Sequence, residues 1–186
     1  MSRRYRKAGW VLAVVMVMVF SASLAFADGF AMKDRYGAGV QLDAFNFGIG
    51  PIAEYWVTDQ AGVGVGLGAL GDFTTFSVRG NYLFDKEFLL FNQPTRPYAG
   101  IGYAYIKGPE EQIGVVKEKT KGSGYEIFGG FLQPAPYIAK DVYVGVDINY
   151  TSAKVEATYS SAFGSTSVDA GYNAFSLCGK VIYFFR

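Results

Sequence analysis

Histidine is absent from all 186 residues, and Cys178 is the only cysteine. The first absence removes the imidazole that serine-hydrolase triads, cysteine–histidine pairs and most zinc sites require. The expectation is a protein with no catalytic residues, no metal ligands and no cofactor. A lone cysteine cannot close an intramolecular disulfide, so an exported chain of this size must rely on its hydrogen-bond ladder and its surroundings. Beyond residue 27, no apolar run approaches the roughly 20 residues of a membrane-spanning helix.

The N-terminus reads as a targeting segment. Arg3, Arg4, Arg6 and Lys7 precede an apolar run over 10–20, and Ala25-Phe26-Ala27 supplies a small-x-small cleavage pattern before Asp28. This is the layout of a cleavable secretory signal. The expected organisation is a signal peptide at 1–27 and one β-barrel domain at 28–186. Cleavage removes four of 17 Lys+Arg and none of 16 Asp+Glu, so the mature balance is 13 − 16 = −3. A basic patch is the usual footprint of nucleic-acid binding, and this balance gives no reason to expect it.

Glycine, phenylalanine and tyrosine are abundant, at 24, 16 and 14 residues, which favours tightly packed strands. Eight segments alternate with period two. They are expected at about 36–44, 51–57, 62–69, 76–84, 98–106, 125–132, 142–150 and 175–185. The third is the plainest, with Val63, Val65, Leu67 and Ala69 interleaved with Gly62, Gly64, Gly66 and Gly68. The connection 85–97 contains two prolines, and 107–122 is charged and reads as a loop. An even number of strands can close into an eight-stranded antiparallel up-and-down barrel with no free edge.

The polarity of the alternation indicates which solvent lies outside. One face carries Val, Ile, Leu, Phe and Tyr; the other carries glycine and charge. A small barrel has room for few large side chains, so glycine belongs inside and the apolar face is expected to meet lipid. With the export signal, this predicts a transmembrane barrel in the cell outer membrane of a Gram-negative bacterium. Tyr55, Tyr82, Phe84, Tyr98, Tyr150, Tyr183 and Phe185 fall near segment ends, where interfacial girdles are expected.

Strand parity aims Asp43, Glu54, Arg79, Glu126, Asp147 and Lys180 into the lumen. Isolated charges in a dry interior cost several kcal/mol, so these are expected to pair as a polar network, bridged by water, that plugs the barrel. A sharper alternative is a gate whose rearrangement admits water and small ions. Cys178 also points inward, as a buried inert thiol. Gly48-Ile49-Gly50-Pro51-Ile52-Ala53 fits a dinucleotide-binding pattern only formally, since no βαβ unit follows it. Outside the barrel, Lys107, Lys117, Lys119 and Lys121 are placed to touch lipopolysaccharide phosphates, with a solvated loop as the plainer reading. Val155, Ala157 and Tyr159 extend the seventh strand beyond the about 9–11 residues a bilayer needs. With a turn at Phe163 and Gly164, they predict a protruding hairpin with an unpaired edge that accepts a strand from a host or surface protein.

The signal peptide, Arg96-Pro97-Tyr98-Ala99-Gly100-Ile101-Gly102-Tyr103, the strand at 142–150 and the aromatic C-terminal strand together resemble the OmpA/OmpX-like outer-membrane β-barrel family. The resemblance spans essentially the whole mature chain. It implies contact with outer-membrane lipid and lipopolysaccharide, and assembly by the barrel assembly machinery, which reads a terminal aromatic residue. Here Arg186 follows Phe185, a departure of one residue. Outer-membrane barrel enzymes rely on a histidine that this chain lacks. The expected role is structural or surface-interactive (adhesin-like), with a narrow porin-like channel as the alternative and a soluble periplasmic ligand carrier as a third reading.

Overall fold

The computed structural model describes residues 30–43, 48–113 and 115–185. The expected export segment 1–27 and Ala44, at the end of the first expected strand, lie outside the described residues. Nine strands follow one another: β1 (Arg35–Asp43), β2 (Gly48–Trp56), β3 (Ala61–Leu70), β4 (Phe73–Leu83), β5 (Phe88–Leu90), β6 (Gln93–Ile113), β7 (Val116–Pro134), β8 (Val142–Ser161) and β9 (Gly164–Phe185). Among the described residues there is no helix.

Eight of these strands close into an antiparallel up-and-down barrel. Neighbours in sequence pair, β4 joins β6, and β1 closes the ring on β9 with Tyr36 opposite Phe185 and Asp43 opposite Cys178. Every backbone ladder is therefore satisfied within the wall, and no edge remains along the closed part. Strand β5 stands outside this ring. It forms a small hairpin with the start of β6 through Phe91 and Asn92, both at positive φ, in a stretch whose prolines suggested only a connection.

The alternation has the expected sense. Outward side chains such as Val65, Leu67, Ile127, Ile148 and Leu177 are exposed, whereas Gly64, Arg79, Glu126 and Asp147 are buried. Inward glycines make room for large neighbours. A Cβ on Gly62 would meet the Trp56 indole at 2.8 Å. One on Gly102 would collide with the Glu126 carboxylate and with the Val78 carbonyl. Glycine on one strand thus allows a long side chain on the next to fill the lumen.

The wall has two heights. Pairing between β4 and β6 ends at Thr74 opposite Lys107, and pairing between β1 and β9 ends at Asp43 opposite Cys178. Strands β6 to β9 continue beyond those points as a four-stranded fin. This corrects the reading of 107–122 as a loop: β6 runs to Ile113, a register shift falls between Lys107 and Glu110, and β7 begins at Val116. The final strand likewise begins at Gly164 rather than near 175. Above the rim, both faces of a strand can be polar, so the hydrophobic period disappears while the backbone period continues.

Candidate functional site

All six inward charges predicted from parity are buried, and the barrel brings them into one chamber. Arg79 Nε donates to Glu126 Oε1 at 2.6 Å and its Nη2 to Oε2 at 3.0 Å, a bidentate pair. Lys180 Nζ donates to Glu54 Oε1 at 2.8 Å, and the Trp56 indole N–H donates to Glu54 Oε2 at 3.2 Å. Asp43 accepts from Asn149 Nδ2 at 3.3 Å and from Ser176 Oγ at 3.1 Å. Asp147 accepts from the Tyr98 hydroxyl. The result is two ion pairs and two carboxylates held by neutral donors.

Two aromatic rings connect the pairs. The Arg79 guanidinium lies 5.0 Å from the Phe128 ring centroid, and Lys180 Nζ lies 4.4 Å from that of Tyr98. The rings meet edge to face at 6.1 Å. Each cation thus has a carboxylate and a π-face, two attractive partners inside the buried chamber. Tyr98 was expected in an interfacial girdle. It shares parity with Gly100 and Gly102, so it turns inward and is 3% exposed. The partner roles of Trp56, Tyr98, Asn149 and Ser176 escaped sequence reasoning, although parity alone would have placed them beside the charges.

Below the charged layer the lumen is apolar. Phe30, Met32, Ile52, Trp56, Leu83, Tyr98, Phe128, Leu132, Tyr143, Ile182 and Phe184 form one buried cluster at the end that carries the short turns and both described termini. The Asp59 carboxylate anchors the incoming segment by accepting from the backbone N–H groups of Met32 (2.8 Å) and Lys33 (2.9 Å). Those bonds, the one from Lys33 foremost, hold Asp59 below the usual carboxylate range. The Arg96 guanidinium covers the Phe30 ring at 4.8 Å. Cys178 is fully buried.

No protein-family model matches this chain, and no curated protein matches it either.

The outer surface of β6 to β9 changes character at one height. Successive rows across the four strands run Ile101/Ile127/Tyr150/Phe175, then Tyr103/Tyr125/Ser152/Asn173, then Tyr105/Ser123/Lys154/Gly171, then Lys107/Lys121/Glu156/Asp169. Aromatic contacts mark the transition, with Tyr103–Tyr125 at 5.5 Å and Tyr150–Phe175 at 4.9 Å. A second group gathers at the turn end: Tyr36–Tyr55 at 4.6 Å, Tyr82–Phe84 at 5.3 Å and Phe88–Phe131 at 5.3 Å.

On the fin, Val155, Ala157 and Tyr159 occupy an inner strand. Strand β8 pairs with β7 on one side, through Lys117 opposite Ser160, and with β9 on the other, through Ser161 opposite Gly164. The expectation that these residues border an unpaired edge is thus corrected. Among the described residues, the arm of the hairpin left with an outer side is β9 over 164–171, because β7 is long enough to cover β8. Phe163 caps the hairpin turn at 98% exposure, beside Gly164 at φ 143°. Val155, Ala157, Tyr159 and Val168 share the inward parity of the lumen residues, yet among the described residues no strand stands opposite them beyond the rim.

Proposed function

We propose that this chain is an integral outer-membrane protein whose barrel is a closed structural anchor and whose work is done by the fin at the cell surface. The observation that carries the reading is the change of polarity along one face of β6 to β9. Up to the tyrosine rows, the outward residues suit hydrocarbon; beyond them, they suit water and headgroups. A soluble ligand carrier with this many strands would keep its apolar face inside. Positions 175–185 of β9 also supply the about 9–11 residues that a tilted strand needs to cross a bilayer. The cleavable export segment, the OmpA/OmpX-like pattern and assembly by the barrel assembly machinery belong to the same proposal. Fractionation and heat-modifiable gel mobility test it: the chain should sediment with outer membranes and migrate faster unboiled than boiled. Recovery in the soluble fraction after detergent-free lysis would sink it.

The polar chamber above the floor supports a channel as the rival reading, but the apolar cluster below it favours a sealed lumen. Water entering from the turn end would meet Trp56, Phe184 and Tyr143 packed against Phe30 and Met32, not a hydrophilic path. Purified protein in planar bilayers is therefore expected to show no unitary conductance. A stable small conductance would favour the channel.

The fin offers two features to an extracellular partner. One is the outer side of β9 over 164–171, which no described strand covers; the other is the apolar inner face of Val155, Ala157, Tyr159 and Val168. Replacing 155–170 by a two-residue Asn-Gly turn, which joins the cross-strand partners Lys154 and Gly171, should leave a heat-modifiable barrel. Adhesion of protein-bearing vesicles to extracellular proteins and host surfaces should fall to the level of protein-free vesicles. Adhesion unchanged by the trimming would remove the fin from the reading.

A further inference from the structure

The outer wall just above the tyrosine rows carries an excess of positive charge that the chain as a whole does not have. Of the described outward side chains on the fin from the Tyr105 row outward, Lys107, Lys117, Lys119, Lys121 and Lys154 are cationic, and Glu110, Glu156 and Asp169 are anionic, so 5 − 3 = +2. The two rows nearest the tyrosines hold Lys107, Lys121 and Lys154 against Glu156 and Asp169, so 3 − 2 = +1. The sequence without 1–27 sums to −3. The lysines are also placed unfavourably for one another. Lys107 and Lys121 are direct cross-strand partners, and like charges so placed, with Cβ atoms about 5 Å apart, repel. Lys154 lies on the next strand, opposite Ser123 and one row nearer the apolar belt.

Neighbouring carboxylates relieve this only in part. Glu156 bonds Lys121 at 3.0 Å, while Glu110 is shared between Lys119 at 3.0 Å and Lys107 at 3.6 Å. All of these groups lie in water, where such pairs contribute little. What remains is a set of three ammonium groups flanked by the hydroxyls of Tyr105 and Ser123, one to two rows above the tyrosines that would mark the edge of the hydrocarbon. An anion seated there would lie at headgroup depth, with its own acyl chains against Ile101, Ile127 and Tyr103.

We propose that Lys107, Lys121 and Lys154, with Tyr105 and Ser123, form a binding site for the phosphate groups of a lipopolysaccharide-class lipid in the outer leaflet. The assignment rests on the membrane reading above and deepens it by naming a lipid and its site. Phosphate suits the site because ammonium groups bind it as point charges, and lipid suits it because the apolar belt begins directly below. Lys119 and Lys117 stand one and two rows farther out, beyond headgroup reach.

The test uses the full chain extracted from membranes and reconstituted in phosphatidylcholine nanodiscs. Native mass spectrometry would follow binding of lipid A bearing both phosphates, of the same lipid stripped of phosphate, and of inorganic phosphate alone. The phosphorylated lipid should bind, and K107Q/K121Q/K154Q should weaken it by about tenfold to a hundredfold. The charge-retaining K107R/K121R/K154R should restore binding, and K117Q/K119Q should leave it unchanged. Equal affinity of the glutamine variant, or equal binding of the stripped lipid, overturns the site. Competition by inorganic phosphate at the lipid's own concentration would mark a soluble-anion site and overturn the lipid assignment. A chain that never enters the membrane fraction overturns both readings; one that inserts but shows no phosphate preference overturns only this one.

Discussion

Replacing Arg79 by leucine should lower the unfolding free energy by about 3–5 kcal/mol, because Glu126 would remain buried without its bidentate partner. The double change R79L/E126L should recover most of that loss. It removes both charges and leaves apolar volume beside Phe128. Urea titrations in detergent micelles, followed by the unboiled gel band, would measure the series. The result also discriminates between a sealed and a conducting lumen. In a water-filled channel the orphaned Glu126 would be hydrated, and R79L would cost about 1 kcal/mol or less. Gly102 adds to the expected sensitivity, since its missing Cβ is what admits the Glu126 carboxylate.

Ile148→Arg should destabilise the membrane-inserted barrel by about 2–4 kcal/mol, the cost of a cation facing lipid near mid-depth. Ile148 is 62% exposed on the outer wall, between Val146 and Tyr150 on its own strand and beside Leu177 on β9. For a protein surrounded by water, the same substitution at so exposed a position would fall within about 0.5 kcal/mol of neutral. Thr158→Arg is the matched control. It lies on the same strand and the same outward face but beyond the rim, so its effect should be small in either solvent. Refolding into phosphatidylcholine vesicles, with the fraction folded read against urea, would compare the two. Equal effects at 148 and 158 would remove lipid from the outer wall and with it the proposed location.

The two variants probe the properties that sequence conveyed best. A period of two is set by the backbone pleat and needs no tertiary knowledge, so the strand cores and their facing were legible in Val63–Gly64–Val65–Gly66 and its counterparts. Parity in turn brought Asp43, Glu54, Arg79, Glu126, Asp147 and Lys180 to the lumen. It did not give their partners. Whether Arg79 meets Glu126 or Asp147 depends on the stagger between strands that are distant in sequence, and no local pattern encodes stagger. Tyr98 illustrates the same limit: it was assigned to a girdle by its place near a strand end, whereas its parity and its bond to Asp147 make it a lumen residue.

The fin was the least legible part for a different reason. Hydrophobic alternation reports a strand only where its two faces meet different media. Over 107–122 the outward lysines alternate with Glu118 and Thr120, and the stretch resembles a loop although its backbone is paired almost throughout. The apolar inner positions of β8 did reveal an extension, but not that β7 would cover one side of it and β9 the other.

The sequence by itself therefore determined an all-β chain with eight alternating strand cores, a glycine-and-charge face and an apolar face, because these follow from side-chain order along a pleated backbone. Tertiary structure alone decided which charges pair, that an apolar floor closes the turn end, and that four of the eight strands rise past the rim. Those features depend on register and closure between strands up to the full length of the chain apart, where contacts are fixed only once the ring has formed.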